Sequence, residues 1–283
     1  MKMRNQIAGS MGSYLHFIEL GWEPVLKGIS NAGFKNVELS ASAEWNSFIV
    51  VEELKSTDKK RLKDLLAKYN LKPICMSAHC NIVKKEGLEA FKKRMDFAAE
   101  MGVKTLITGT GKWNNGGDLD DLYNHVDKIS KYAENDNLLI TLETHGNGRS
   151  GMDETSSGQM YLPIIKHINK KNIKVCYDTA NVIYYSNVMP EDDIKYIADY
   201  IGHLHIKDKK YTKGIWDFPA LGQGNIKFDK IFDTLQTVGY KGALSVEVEL
   251  TPLFTGEEAL DVADFNKANF ESYKFLKDYF SSL

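Results

Sequence analysis

The chain of 283 residues is long for one ordinary domain but usual for an α/β barrel, and its 43% hydrophobic and 26% charged content describes a globular protein with a large core. A net charge of −2 excludes a general electrostatic attraction to nucleic acid. No apolar leader follows the first residues and no run reaches membrane-spanning length, so we expect a cytoplasmic protein with no membrane partner. The three cysteines lack metal-type spacing, and Cys75 and Cys176 lie within apolar runs, which predicts buried, reduced thiols.

Short apolar runs alternate with amphipathic segments along the whole chain. We predict strands at residues 6–9, 36–39, 73–79, 105–108, 138–143, 173–178, 202–208 and 243–247. We predict helices at residues 58–69, 88–101, 119–133, 160–168, 194–200, 228–238 and 257–279. Gly33, Gly102 and Gly239 stand where left-handed helix caps are expected. The alternation favours a single (β/α)8 TIM barrel spanning residues 1–283 over an open doubly wound sheet, because no glycine-rich dinucleotide fingerprint follows the first strand.

The seventh run contains an unusual set of polar residues. Side-chain alternation along a strand places His203, His205 and Lys207 on one face. Buried polar groups are costly unless they are bound, and a metal ion or backbone hydrogen bonds could each compensate them. For this run alone, a pair of hydrogen-bonded core histidines is the competing interpretation.

The other runs strengthen the metal interpretation, because TIM barrels place their chemistry at the carboxyl ends of the strands. Six residues lie at or near such ends: Glu38, His79, Glu143, Asp178, His205 and Glu247. Four of these come from successive strands, and three carboxylates with one imidazole suit a divalent cation, Mn²⁺ above all, with Mg²⁺, Co²⁺ or Zn²⁺ as alternatives. Without a cation the carboxylates would repel one another and raise their pKa values. For any single acid, a helix cap or a rim salt bridge remains the alternative.

Four motifs together resemble the sugar phosphate isomerase/epimerase-like family of xylose isomerase-like TIM barrels. They are Leu-Glu-Thr-His-Gly at 142–146, Tyr-Asp-Thr-Ala-Asn at 177–181, His-Leu-His-Ile-Lys-Asp at 203–208, and Leu-Gly-Gln-Gly at 221–224 ahead of Ser-Val-Glu at 245–247. The resemblance implies that Glu143, Asp178, His205 and Glu247 are metal ligands, with Glu249 as an alternative to Glu247 on the same strand face. It also implies catalysis through a metal-stabilised enediolate, with Glu143 and Glu247 as the acid and base.

The resemblance does not fix the reaction. A sugar isomerase or epimerase acting on a keto- or aldo-sugar-like substrate is the favoured function, and a dehydratase or lyase of a keto-sugar, inosose or dehydroshikimate-like substrate is the alternative. Ketose 3-epimerases usually have histidine where this chain has Asn181, and a second glutamate and an arginine in loops where it shows Arg149 and Tyr211. The Glu-Thr-His sequence looks like the dehydratase branch, in which His145 would move protons or bind substrate. An abasic-site endonuclease needs further metal ligands, and a non-catalytic sugar-binding role does not explain the intact ligand set.

Further polar and aromatic residues near the strand ends are predicted to bind substrate: His145, His79, Asn181, Lys207, Trp113 and Glu38. For Lys207 an ion pair with Asp178 or Glu247 is equally favoured, and Glu38 could instead be a structural group of the barrel. Trp216, Phe218 and Trp45 could stack on a sugar ring. The loops lack a basic cluster, so we expect a neutral or carboxylated sugar-like substrate rather than a phosphorylated one. The long last helix would suit a homo-oligomer contact.

Overall fold

Eight parallel strands close into one barrel in the computed structural model, which describes residues 5–111, 119–146, 155–210, 215–250 and 260–282. Each strand pairs with the next along the chain, and β1 closes the barrel against β8. The strands are β1 (Ile7–Ser10), β2 (Asn36–Ser40), β3 (Lys72–Ser77), β4 (Thr105–Thr108), β5 (Leu139–Glu143), β6 (Ile173–Asp178), β7 (Ile201–Ile206) and β8 (Leu244–Val246). The predicted TIM barrel is confirmed, and each predicted run overlaps one of these strands.

Helices connect the strands on the outside of the barrel. They are α1 (Trp22–Asn31), α2 (Ser56–Lys68), α3 (Lys85–Met101), α4 (Leu119–Glu134), α5 (Gly158–Ile168), α6 (Thr179–Ser186), α7 (Pro190–Asp193), α8 (Phe228–Thr237) and α9 (Val262–Ser282). Gly102 ends α3 at φ 73°, and Gly239 follows α8 at φ 69°, as the helix-cap pattern predicts. Within the part of the chain that the structure describes, no helix is both long and apolar enough to cross a membrane.

The structure differs locally from the prediction in two ways. First, the predicted helices include neither α1 nor α6. Helix α6 lacks the apolar stripe of an amphipathic helix because all eight of its residues are buried, and α1 contains both a proline and a glycine that lower helix propensity. Second, residues 194–200, predicted as one helix, form two 3-10 turns (Ile194–Tyr196 and Ala198–Tyr200). Ile197 separates them with φ −121° and ψ −4°, a conformation that does not continue an α-helix.

The apolar core lies mainly between the strands and the surrounding helices, where the buried side chains of both form one continuous cluster. A second, small cluster contains Ala8, Cys75, Ile107 and Cys176. All three cysteines are buried and free, as expected. Charged and polar side chains occupy much of the barrel interior near the carboxyl ends of the strands, which leaves this second apolar cluster small.

Candidate metal centre

Four side chains from successive strands meet at the carboxyl end of the barrel. Glu143 ends β5, Asp178 ends β6, His205 lies near the end of β7, and Glu247 directly follows β8. One ligand atom from each lies within 4.8 Å of the others, and all four residues are buried. His205 Nδ1 is 2.6 Å from Glu143 Oε1, 3.5 Å from Glu247 Oε2 and 3.8 Å from Asp178 Oδ2. One ring nitrogen therefore faces three carboxylates.

Asp178 shows how the local fold directs a ligand atom into this cluster. Its Oδ1 caps α6 by accepting hydrogen bonds from the backbone N–H groups of Ala180 (3.0 Å) and Asn181 (2.9 Å). Its Oδ2 is buried and accepts no hydrogen bond from any residue that the structure describes. The Lys207 ammonium lies 3.2 Å away without a hydrogen bond, and a metal ion would give this buried oxygen a direct partner.

Lys207 places a positive charge among the carboxylates. Its Nζ lies 2.6 Å from Glu249 Oε1, 2.7 Å from Glu247 Oε2 and 3.2 Å from Asp178 Oδ2. Burial alone lowers the pKa of this ammonium group, but the three carboxylates raise it well above its ordinary value. Both ion pairs considered for Lys207 from the sequence are therefore present, and Glu249 is held by this lysine rather than grouped with the four candidate ligands.

The acidic groups have markedly different pKa values. Burial raises the pKa of Asp178 to about 6 and that of Glu249 to about 7, against the opposing charge of Lys207. Burial alone would raise the pKa of Glu143 as well. The charge and hydrogen bond of His205 outweigh burial, and the net pKa of Glu143 lies well below its usual range. Burial lowers the pKa of His205, whereas the neighbouring carboxylates raise it well above its ordinary value.

The donor set fits a divalent metal ion. Three carboxylates and an imidazole are mixed oxygen and nitrogen ligands, which Mn²⁺, Mg²⁺, Co²⁺ and Zn²⁺ accept in proteins. Two further acids, Glu38 and Glu249, lie next to the cluster, while His205 and Lys207 are the positively charged groups beside it in the described part of the chain. The excess of negative charge, together with the Asp178 oxygen that pairs with Lys207 but accepts no hydrogen bond, favours a bound cation.

A cavity of about 310 Å³ opens above the candidate ligands. Glu143, His205 and Glu247 line it, whereas Asp178 does not. The predicted substrate residues His79, His145, Asn181 and Lys207 also line it, as do Trp45 and Trp216. Its volume is at the small end of the range for pockets that hold small molecules, about 300–1,000 Å³. A ligand in this cavity would contact both the carboxylates and two indole rings.

Two of the histidines that line the cavity, His79 and His145, are held by protein groups. His79 Nε2 donates to Glu143 Oε2 (2.8 Å), and the His79 ring lies 4.7 Å from the ring of Trp45. His145 Nδ1 donates to the backbone oxygen of Gly146 (2.7 Å), and its Nε2 accepts from the Tyr185 hydroxyl (2.9 Å). Burial lowers the pKa of His145, so that its ring is neutral around pH 7.

The remaining predicted substrate residues have different positions. Asn181 Nδ2 donates to Thr144 O (3.3 Å), while its Oδ1 accepts no hydrogen bond from the described residues. Glu38 does not line the cavity and is fully buried, since it lies two residues before the end of β2. Trp113 lies outside the described residues, as do Arg149 and Tyr211, on which the comparison with ketose epimerases depended.

Sequence reasoning missed the contribution of the segment after β1, where a 3-10 stretch (Met11–Leu20) brings Ser13 and His16 to the cavity. A Cβ added to Gly12 would come 2.3 Å from Glu247 Oε1, so the backbone there packs directly against a candidate ligand. Ser13 Oγ accepts a hydrogen bond from the backbone N–H of Val248 (2.9 Å). The position of this segment directly after a barrel strand was the available signal.

Known proteins of related sequence include both epimerases and dehydratases. The chain is 23% identical over 243 residues to an L-ribulose 3-epimerase of Methylomonas sp., covering 80% of this chain and 78% of that protein. It is 22% identical over 205 residues to an inosose dehydratase of Geobacillus thermodenitrificans, covering 59% of this chain and 65% of that protein. Among the first three curated relatives, the matched part spans from 57% to 78% of their lengths.

Solved structures share the fold. A xylose isomerase-like TIM barrel protein from Mycobacterium smegmatis, in complex with magnesium, has a TM-score of 0.74 at 15% identity, covering 99% of this chain and 97% of that one. Residues 26–269 match the family model described as a xylose isomerase-like TIM barrel. This match covers most of the barrel, including all four candidate ligands. The chain therefore belongs to the xylose isomerase-like TIM barrel family.

Proposed function

We propose that this protein is a divalent-metal-dependent isomerase or epimerase acting on a keto- or aldo-sugar-like substrate. One observation carries the proposal: two carboxylates, Glu143 and Glu247, lie within 3.5 Å of His205 Nδ1 and both line the cavity. A reaction that removes a proton from a carbon and returns it needs two such groups near one substrate atom. The relationship to an L-ribulose 3-epimerase supports the same class.

The candidate ligands Glu143, Asp178, His205 and Glu247 would hold the metal, with Mn²⁺ as our first choice. Once bound, the metal would polarise the carbonyl of the substrate and stabilise the negative charge that develops on its oxygen. The protein groups do the rest. Glu143 has its pKa held well below the usual range, so it is ionised and can take a proton from the carbon beside the carbonyl. In an isomerase Glu143 can return the same proton to the neighbouring carbon, whereas in an epimerase Glu247 must start protonated so that it delivers its own proton to the other face.

The surroundings of the cavity position the substrate and limit water. Asn181 presents a side-chain oxygen without a hydrogen bond from the described residues, which can accept one from a sugar hydroxyl. Lys207 can donate to a substrate oxygen while it neutralises Glu247. Trp45 and Trp216 supply apolar faces of the kind that pack against sugar rings.

A dehydratase is the second candidate, supported by the inosose dehydratase relatives and by His145, which lies in the cavity two residues after Glu143. Elimination requires an acid that protonates the departing hydroxyl group. His145 is poorly suited to this, because burial lowers its pKa and both of its ring nitrogens have protein partners. We therefore place the isomerase or epimerase first. We also propose that the protein is cytoplasmic and has no nucleic-acid partner.

Incubation of the Mn²⁺-loaded protein in D₂O with panels of ketoses, aldoses and inososes separates these reactions. An isomerase or epimerase gives a product of unchanged formula, with deuterium at the carbon that exchanges its proton. A dehydratase gives a product lighter by one water and an enone absorbance, and a lyase gives two fragments. No turnover of any sugar, combined with cleavage of an abasic-site oligonucleotide, would refute the carbohydrate proposal.

A further inference from the structure

We propose that Glu38 is a positioning residue of the metal centre, which orients His205 so that Nδ1 faces the ligand cluster. The inference rests on the proposed function, since it concerns the same metal site. It assigns Glu38 a role below the cavity rather than a contact with substrate. Its support comes from contacts on the far side of the His205 ring from the candidate ligands.

The His205 ring lies between two carboxylates, with one nitrogen facing each. Its Nδ1 is 2.6 Å from Glu143 Oε1, on the side of the ligand cluster. Its Nε2 is 3.2 Å from Glu38 Oε1 and 3.1 Å from Glu38 Oε2, so both oxygens of the carboxylate are within reach of one N–H. An ionised carboxylate only accepts hydrogen bonds, and it therefore requires the proton at Nε2. In the metal-free protein Glu143 accepts from Nδ1 in the same way. A metal ion bound at Nδ1 would take the place of that proton, while Glu38 keeps the proton at Nε2, as in other sites where a carboxylate holds a ligating histidine.

Glu38 itself is fixed by other side chains of the barrel interior. Ser10 Oγ donates to Oε1 (3.0 Å) and Cys75 Sγ donates to Oε2 (3.4 Å). His203 Nε2 lies 3.3 Å from Oε2 and is also hydrogen-bonded to Ser245 Oγ (3.0 Å). Glu38 is 0% exposed and does not line the cavity. A carboxylate held by three neighbours cannot turn away to follow a rotated imidazole, so it fixes the ring orientation.

The substitution Glu38→Gln tests this role. Glutamine keeps the shape of the side chain but has one acceptor oxygen and one amide NH2 group, which is a donor. It therefore cannot present two acceptor oxygens to the histidines. We expect the Mn²⁺ dissociation constant, measured by competition with a fluorescent chelator, to rise about 10–100-fold, the range for loss of such partners. Cys75→Ala is the matched control, since it removes a different contact to the same carboxylate and leaves His205 in place. The control should bind Mn²⁺ as the wild type does, and unchanged affinity in Glu38→Gln would overturn the inference.

A measurement on the wild type covers the case in which Glu38→Gln does not fold. In ¹⁵N-histidine-labelled protein loaded with diamagnetic Mg²⁺, long-range proton–nitrogen spectra should show His205 protonated at Nε2 and not at Nδ1. A proton at Nδ1 with a bare Nε2 would overturn the inference whatever the variant does.

The outcomes also separate this inference from the proposed function. If Glu38→Gln binds Mn²⁺ more weakly and neither protein converts a sugar, Glu38 keeps its positioning role while the proposed reaction fails. If the wild type isomerises a sugar and Glu38→Gln binds Mn²⁺ unchanged, only the inference about Glu38 fails. If the wild type binds no divalent metal, both fail.

Discussion

Replacing Lys207 with methionine should destabilise the metal-free protein far more than it destabilises the metal-loaded one. The Lys207 side chain is 4% exposed, and its Nζ lies within 3.2 Å of oxygens from Asp178, Glu247 and Glu249. Methionine has a similar length and no charge. Its introduction would leave three buried carboxylates with only His205 as a nearby positive charge in the described site.

The magnitude follows from the cost of leaving buried charges unpaired. Removing one partner of a buried ion pair costs about 3–5 kcal/mol, because the remaining charge is not solvated. At roughly 2–4 °C per kcal/mol for a large domain, the melting temperature in EDTA should fall by about 6–20 °C. With Mn²⁺ in excess the metal supplies the missing positive charge, so the gap between variant and wild type should narrow.

Lys209→Met provides the matched control for this experiment. Lys209 is also buried, but its Nζ donates to the backbone oxygen of Ile215 and lies over the rings of Phe218 and Tyr184. Burial lowers its pKa to about 8. We expect Lys209→Met to lose stability equally in EDTA and in Mn²⁺. Differential scanning fluorimetry in both buffers measures all three proteins, and a Lys207→Met variant as stable as the wild type in EDTA would refute the electrostatic argument.

Three further predictions concern catalysis, chelation and acid stability. The variants Glu143→Gln and Glu247→Gln should fold with near wild-type circular dichroism spectra. Their kcat should fall by several orders of magnitude, since each loses a ligand charge and a proton-transfer group. A loss of less than tenfold in kcat would show that these acids are structural. Chelation should abolish turnover, and Mn²⁺ should restore it. The side-chain hydrogen bonds of Arg94 lower the pKa of Glu52. This pair therefore stabilises the fold fully at pH values above the ordinary glutamate pKa, and the contribution is lost as the pH falls through the lowered pKa. Urea unfolding of the wild type and Glu52→Gln across this range should show their difference shrinking at low pH.

The barrel itself could be predicted because its strands are covered on both faces. Each strand is a short apolar run, and such runs remain visible in the sequence without any knowledge of tertiary contacts. The candidate ligands followed from the same pattern, since Glu143 and Asp178 end their strands. Helix α6 could not be predicted in this way, because a helix buried on every side has no polar face to produce a period of 3.6.

Depth inside the barrel was the property that the sequence did not reveal. Strand alternation assigns a side chain to the interior face but does not say whether it reaches the cavity. His203 and His205 share a face and lie two residues apart, a rise of about 6.6 Å along a strand. His205 lines the cavity, whereas His203 does not and is 0% exposed. For Glu38 the sequence left both a substrate contact and a structural role open, because its position near a strand end looks the same in sequence as that of a residue one layer higher.

These two layers have different chemical consequences. Side chains of the upper layer, such as Glu143 and Glu247, can contact both a metal and a substrate, so their replacement should change turnover. Side chains of the lower layer, such as Glu38 and His203, reach only other protein groups among the described residues. Their replacement can affect substrate only through the orientation of His205, and it should therefore appear first in metal affinity. Under the proposed function, the sugar specificity of this protein must then arise in the upper layer and in the loops above it, because the lower layer does not line the cavity in which substrate would lie.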